Sequence, residues 1–342
     1  MTQKPIDILG LTCRLCVRLA AARGVPRPEA IAAYRRAFRT GRPDVDWISL
    51  PQVTIGESLA EGNTMKLGLT LGDGRETECV VLPQSSRTGR PRNTLCLSAQ
   101  IGCARGCVFC QTARMGLVRS LTAAEIVAQW HTARFSLGTD ISNIVFMGMG
   151  EPLDNLDEVI QAIRIFADHD GPAIPASRIS VSTVGLPRSI ARLATLAKEP
   201  GLRRLGLAVS LNAPNDEVRS RLMPVNRIAP MAVLREAMLA WPVGNRGRIL
   251  IEYVLIPGVN DAPEHAKQLG DYLRPLKCTL NVIPYNPTGD LPWPSPRPEQ
   301  VGRFIDRVID YGILVKRRRT IGRSISGACG QLAGRRVGSG VR

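Results

Sequence analysis

The stretch Thr94-Leu95-Cys96-Leu97-Ser98-Ala99-Gln100-Ile101-Gly102-Cys103-Ala104-Arg105-Gly106-Cys107-Val108-Phe109-Cys110 decides how this chain is read. Thr94 to Gln100 is an apolar run of strand length, and Gly102 and Gly106 mark the residues after it as a loop. Five more strand candidates come later: Asn143 to Met147, Arg178 to Thr183, Leu205 to Ser210, Ile249 to Leu255 and Thr279 to Pro284. Helical patterns lie between them. Leu121 to Phe135 is one, with Thr122 and Glu125 at capping-box spacing, and Leu156 to Ala167 is another. Strands alternating with helices in this way predict a parallel sheet, curved or closed into a barrel. An open doubly wound sheet gives the same alternation. The unusual residues follow the C-terminal ends of successive strands, as sites on such sheets do, and this decides for a barrel.

Upstream of this core, residues 1–45 read as helical. Pro28-Glu29-Ala30 opens a run that continues to Phe38, and Gly41-Arg42-Pro43 closes it. Residues 50–92 read as strands over Thr64 to Leu71 and Thr77 to Leu82, with a hairpin signal at Gly72-Asp73-Gly74. In 342 residues, 45 Lys and Arg against 29 Asp and Glu leave +16, with basic runs at Lys316-Arg317-Arg318-Arg319 and Arg335-Arg336. Such a surface favours a polyanion. Aromatic residues make up only 4% of the chain, so rows of stacking rings are not the expected means of base recognition. Phosphate contacts by arginines and extrusion of a base into the barrel mouth fit better. The apolar run near the start is cut short at Arg14 and reads poorly as a signal peptide, and no stretch reaches the roughly 18 apolar residues of a membrane span. The expectation is a cytoplasmic chain without a membrane partner, whose nine cysteines serve as thiols, metal ligands or catalytic groups.

Cys103, Cys107 and Cys110 have the spacing C-x3-C-x2-C on the loop after the first strand. Three thiolates can hold three irons of a 4Fe-4S cube and leave the fourth open to the amino and carboxylate groups of S-adenosylmethionine. A four-ligand zinc site would need another Cys or His at ligand spacing, which the neighbouring sequence lacks. Cys96 lies on the strand itself, and Cys329 sits among small residues in Gly327-Ala328-Cys329-Gly330-Gln331. Cys13, Cys16, Cys79 and Cys278 read as structural. Polar residues stand at strand ends: Gly148-Met149-Gly150-Glu151-Pro152, Ser182-Thr183, Ser210-Leu211-Asn212 and Asn286. Glu151 is suited to accept a hydrogen bond from an ammonium group.

Taken together, these motifs resemble the RlmN/Cfr family of radical S-adenosylmethionine RNA methyltransferases, over about Thr77 to Gly334. The resemblance is carried by Thr94-Leu95-Cys96 ahead of the cysteine loop, Gly148-Met149-Gly150-Glu151-Pro152-Leu153, Ser182-Thr183, Ala213-Pro214-Asn215-Asp216, Ile251-Glu252-Tyr253-Val254, Asn286-Pro287 and Ala328-Cys329-Gly330-Gln331-Leu332-Ala333-Gly334. It implies an α/β fold: a partial (β/α)6 radical SAM barrel with a small N-terminal helical region and a β-hairpin extension. The corresponding division is 1–48 for the helical accessory region, 49–92 for the extension, 93–334 for the core and 335–342 for a basic tail. Cys103, Cys107 and Cys110 would bind one 4Fe-4S cluster. Gly150, Glu151, Ser182, Ser210, Leu211, Asn212 and Asn286 would bind S-adenosylmethionine. Cys329 would carry the methyl group, Cys96 would resolve the covalent intermediate by forming a disulfide with Cys329, and Glu78 would accept the ring proton.

The chemistry explains the need for such machinery. An adenine ring carbon flanked by nitrogens is electron-poor and does not attack a sulfonium methyl, whereas a thiolate does. The resemblance implies methylation of an adenine ring carbon, with carbon 2 favoured over carbon 8 and both left open by the sequence, in ribosomal RNA with transfer RNA as the alternative or additional substrate. The expected partners are RNA and an electron donor such as flavodoxin or ferredoxin, and the chain is expected to act as a monomer. The competing readings are a radical enzyme on a non-RNA substrate and a non-catalytic RNA-binding factor. Three departures bear on the target: Asn212 stands where the family more usually has His, Gly322-Arg323-Ser324 replaces an acidic turn before Cys329, and Ser85 to Arg92 reads as an insertion.

Overall fold

The computed structural model describes residues 4–84, 92–245, 247–287, 291–318, 322, 324–328 and 330–332. The chain opens with β1 (Ile6–Asp7), α1 (Cys13–Ala21), α2 (Arg27–Thr40) and β2 (Ile48–Ser49), where β1 and β2 pair in parallel. Thr12 caps α1 through its hydroxyl, and α2 ends at Gly41 as its closing signal predicts. Partly buried polar contacts fix this region to the barrel. Asp168 accepts hydrogen bonds from the Cys13 amide at 2.6 Å and the Tyr34 hydroxyl at 3.3 Å, and Gln161 donates to the Gly10 carbonyl at 2.9 Å.

An antiparallel meander comes next: β3 (Val53–Glu61), β4 (Thr64–Leu71) and β5 (Glu76–Gln84). The last two meet at the predicted glycine turn. Sequence reading missed β3, an edge strand exposed along most of its length and broken by a bulge between Ile55 and Ser58. The parallel strands are β6 (Arg92–Cys96), β9 (Ile141–Phe146), β10 (Ile179–Thr183), β11 (Gly206–Ser210), β12 (Ile249–Leu255), β13 (Cys278–Pro284) and β14 (Val315–Arg317). A single ten-stranded sheet joins them in the order β14-β13-β12-β11-β10-β9-β6-β5-β4-β3, so the extension is hydrogen-bonded to the barrel through β5 and β6. β14 adds a seventh parallel strand where the sequence shows only a basic run.

The first barrel strand is shorter than expected. It ends at Cys96 because the buried Gln129 side chain takes over the backbone of Ser98, accepting from its amide and donating to its carbonyl, each at 2.9 Å. Gln100–Gly102 (β7) then pairs with Leu117–Ser120 (β8) in a separate ribbon, with the four-residue α3 (Gln111–Arg114) between them. The outer layer comprises α4 (Ala123–His131), α5 (Leu156–Ala167), α6 (Pro187–Leu196), α7 (Asp216–Leu222), α8 (Met231–Leu239), α9 (Pro263–Leu273) and α10 (Pro298–Asp310). α4 carries the predicted capping box between Thr122 and Glu125 and runs on into a π-helical turn over Thr132–Ser136. Cys13, Cys16, Cys79 and Cys278 are buried in the core between helices and sheet.

Candidate active site

The ribbon β7–β8 holds the cysteine loop at its open end. Gly102 adopts φ +74°, and a Cβ there would collide with the Gly116 carbonyl, the same carbonyl that accepts from the Cys103 amide at 3.0 Å. Further along, the Cys107 carbonyl accepts from the Cys110 amide at 3.1 Å and the Val108 amide donates to the Leu222 carbonyl at 3.0 Å. Arg105 pairs with Asp154 across the loop. Cys103 and Cys107 are buried, while Cys110 is partly open. Burial raises the Cys103 thiol to about 11 and pushes that of Cys107 higher still, and the neighbouring thiols add to both shifts. A cationic cluster would remove those protons on binding. Among the described residues, no three Cys, His, Asp or Glu side chains gather at ligand spacing around a single ion. Ligands to separate corners of a cube need not do so, and three coupled thiols on one loop suit that group.

Glycines open the space beside the loop. Gly150 adopts φ +91°, and a Cβ there would press on the Gln100 side chain. Glu151 is next in the chain and only 2% exposed; its two oxygens accept from the Leu153 amide at 3.0 Å and the Val184 amide at 2.8 Å. Burial raises its carboxyl to about 7, partly opposed by those backbone donors. A cavity of about 150 Å³ is lined by Cys107, Cys110, Gly150, Glu151, Ser182, Ser210, Asn212 and Asn286. The predicted cofactor-binding residues therefore converge, with one exception. Leu211 keeps its side chain in the core, its amide donates to the Glu252 carbonyl, and its carbonyl accepts from Arg219.

Asn212 is held in the left-handed region at φ +56°, which Asn tolerates better than most residues. Its side-chain oxygen accepts from the Val254 amide at 2.9 Å and its carbonyl accepts from Asn260 Nδ2 at 2.9 Å. The Asn at this position thus braces two strand ends.

A larger cavity of about 950 Å³ runs through the barrel and shares Cys110, Glu252, Asn286 and Arg318 with the first. Cys96 lines it, as do Ala328 and Gly330. Cys329 itself, and with it the second partner of the implied disulfide, lies outside the described residues, as do 85–91 of the insertion and the basic tail. Cys96 is buried in a small apolar cluster with Val80, Met149 and Leu332. Glu78 projects from the same face of β5 as Val80, the register partner of Cys96, and its Oε1 accepts from Lys66 Nζ at 3.2 Å. The Ser98 hydroxyl links these parts, donating to the Glu78 carbonyl at 2.5 Å and accepting from the Met149 amide at 2.8 Å.

Sequence reasoning assigned no role to Glu252 and Asn281, which meet inside the barrel at 2.8 Å with Arg318 3.6 Å from the carboxylate. The signal was present: a carboxylate and an amide interrupt otherwise apolar strands. Arg219 gave none, because an arginine on a short helix reads as solvated. It is fully buried and binds the carbonyls of Leu211 and Val184 and the side chain of Asn226.

A partial barrel with three coupled thiols above its first strand is the framework of the radical SAM class, and the family model described as the Radical SAM superfamily matches residues 97–269. A probable RNA methyltransferase of Sorangium cellulosum (sce1580) is 45% identical over 292 residues, which cover 83% of this chain and 70% of that protein. The dual-specificity RNA methyltransferase RlmN of Geobacter sulfurreducens is 38% identical over 346 residues, covering 96% and 92%. The crystal structure of a radical SAM methyltransferase from Sphaerobacter thermophilus superposes with a TM-score of 0.87 at 38% identity, covering 96% of this chain and 99% of that one. The chain belongs to the RlmN family of radical SAM RNA methyltransferases. No helix among the described residues is long and apolar enough to cross a membrane.

Proposed function

We propose that this chain methylates a ring carbon of adenine in RNA, carbon 2 rather than carbon 8, through a methylated Cys329, with ribosomal RNA as substrate and transfer RNA as a second one. One observation carries the reading: Ala328 and Gly330, the neighbours of Cys329, line the same cavity as Cys96 and the partly open Cys110. Cys329 stands 233 positions after Cys96 in sequence (329 − 96), and its two neighbours reach the chamber that Cys96 lines.

A 4Fe-4S cluster on Cys103, Cys107 and Cys110 supplies, when bound, the electron that cleaves S-adenosylmethionine. Glu151, Ser182, Ser210, Asn212 and Asn286 bind that cosubstrate, with Glu151 facing its ammonium group. The Cys329 thiolate takes a methyl group from one S-adenosylmethionine by displacement. A second S-adenosylmethionine, cleaved with that electron into methionine and a deoxyadenosyl group, takes a hydrogen atom from the methyl and leaves as 5′-deoxyadenosine; the methyl carbon then bonds to the base, the adduct gives the electron back, and Cys329 is left joined to RNA. Glu78 takes the ring proton. The Cys96 thiolate then attacks the Cys329 sulfur, the carbon–sulfur bond breaks with its electron pair on carbon, that carbon takes up a proton to become the methyl group, the methylated base leaves, and the new disulfide is reduced before the next cycle.

The test is Cys329→Ala. RNA methylation, followed by nucleoside mass spectrometry, should vanish while the iron-sulfur absorbance persists; undiminished methylation in that variant overturns the assignment. Cys96→Ala should stall with RNA attached to the protein, visible as a denaturation-resistant band that ribonuclease removes. Release of methylated RNA at the normal rate would remove Cys96 from its role.

A further inference from the structure

The turn that precedes Cys329 is gripped from a distant part of the chain. Glu61 ends β3 at the outer hairpin of the antiparallel extension. Its Oε1 accepts from the Gly322 amide at 3.1 Å, and its Oε2 accepts from the Ser324 amide at 2.8 Å and also from the Ser324 hydroxyl. The Gly322 carbonyl in turn accepts from the Gly327 amide at 2.8 Å, closing the turn. Three donors on one carboxylate favour its charged form, and the group is held below the usual carboxylate range by the Ser324 hydroxyl first and the two amides next.

The other side of Cys329 is tied as well. The Gly330 carbonyl accepts from the Gln111 amide at 2.8 Å, and the Leu332 carbonyl accepts from the Thr112 hydroxyl at 2.6 Å. Both donors belong to α3, directly after Cys110. The segment is thus fastened downstream to the cysteine loop and upstream to a carboxylate 263 residues earlier. The turn Gly322-Arg323-Ser324 has no acidic residue of its own to gather these donors.

We infer that Glu61 is a positioning residue for Cys329: by clamping the backbone at 322 and 324 it sets how readily the Cys329 thiol takes up the methyl group. The inference rests on the proposed role of Cys329. It also gives the antiparallel extension a part in catalysis beyond covering one edge of the barrel. Misplacing a reacting atom by about 1 Å can cost on the order of a hundredfold in rate, so an effect of 10- to 100-fold is expected from losing the clamp.

The test uses the full chain with its cluster assembled and S-adenosylmethionine supplied. The rate of methyl transfer to Cys329 is followed by peptide mass spectrometry, well below the thermal midpoint. Glu61→Ala should slow this transfer by about 10- to 100-fold, lower kcat for RNA methylation, and leave KM for RNA within about twofold. Glu61→Gln, which keeps one acceptor oxygen, should recover part of the rate, and Ser324→Ala should show a smaller loss in the same direction. A purely structural role would lower the thermal midpoint and leave the rate of Cys329 methylation at the lower temperature unchanged. That result in Glu61→Ala overturns the inference. Cys329→Ala run in parallel separates the two claims: if it abolishes RNA methylation while Glu61→Ala is normal, only the clamp is refuted, and if it methylates normally, the underlying reading fails.

Discussion

Burial makes Glu151 a group whose charge is costly until a cation arrives. Its carboxyl lies at about 7 instead of 4.5, so the folded chain binds more protons there than the unfolded chain does. Such a group contributes stability that is full below about 4.5 and lost as the pH rises through about 7. Without S-adenosylmethionine, the wild-type chain should therefore lose stability relative to Glu151→Gln between about pH 5 and about pH 8. A shift of this size corresponds to about 3 kcal/mol. Chemical denaturation of both proteins at the two pH values checks it, and parallel stability curves would show that Glu151 does not titrate in this window. Legibility at this scale depended on the neighbours a residue advertises. Glu151 sits among glycines at a strand end and was read from sequence; Arg219, whose partners are carbonyls on two separate loops, was not.

Elements carry their own signals when their ends are capped locally. α5 runs over Leu156–Ala167 as its periodicity predicts, and the Thr122–Glu125 box marks the start of α4. Where a partner distant in sequence sets the boundary, the pattern misleads: β6 stops at Cys96 because of Gln129, and β14 forms because the β13 edge accepts a basic strand. The ribbon β7–β8 depends on Gly102. Gly102→Ala should leave the barrel folded but displace the Gly116 carbonyl and lower iron content per chain, measured by absorbance and metal analysis; full cluster occupancy would sink this. Arg219 binds the loops after β10 and β11 to α7. Arg219→Met should leave buried acceptors without donors and cost about 3 kcal/mol in denaturant unfolding. A change below about 0.5 kcal/mol would refute the bracing role.

Taken whole, the molecule sets basic residues along a chamber that runs through an incomplete barrel. Lys316 and Arg317 line the larger cavity at the free edge of the sheet. RNA affinity should fall steeply with salt, and Lys316→Ala and Arg317→Ala should each reduce the slope of log affinity on log salt by about 1. Equal slopes for the variants and wild type would place the phosphate contacts elsewhere. The order of the parallel strands and their polar ends could be read from sequence because each strand is a short, separate signal. Fusion of the extension into the same sheet could not, because it depends on pairing between β5 and β6.

Among the described residues, β6 is the one strand that pairs antiparallel on one side and parallel on the other, and Cys96 is its last residue. The connection from Gln84 to Arg92 enters at the opposite end, and the register is pinned by pairs from Gln84–Arg92 to Val80–Cys96. With the register held by those pairs, the place of the sulfur in the sheet is set by β5 and not by the length of that connection.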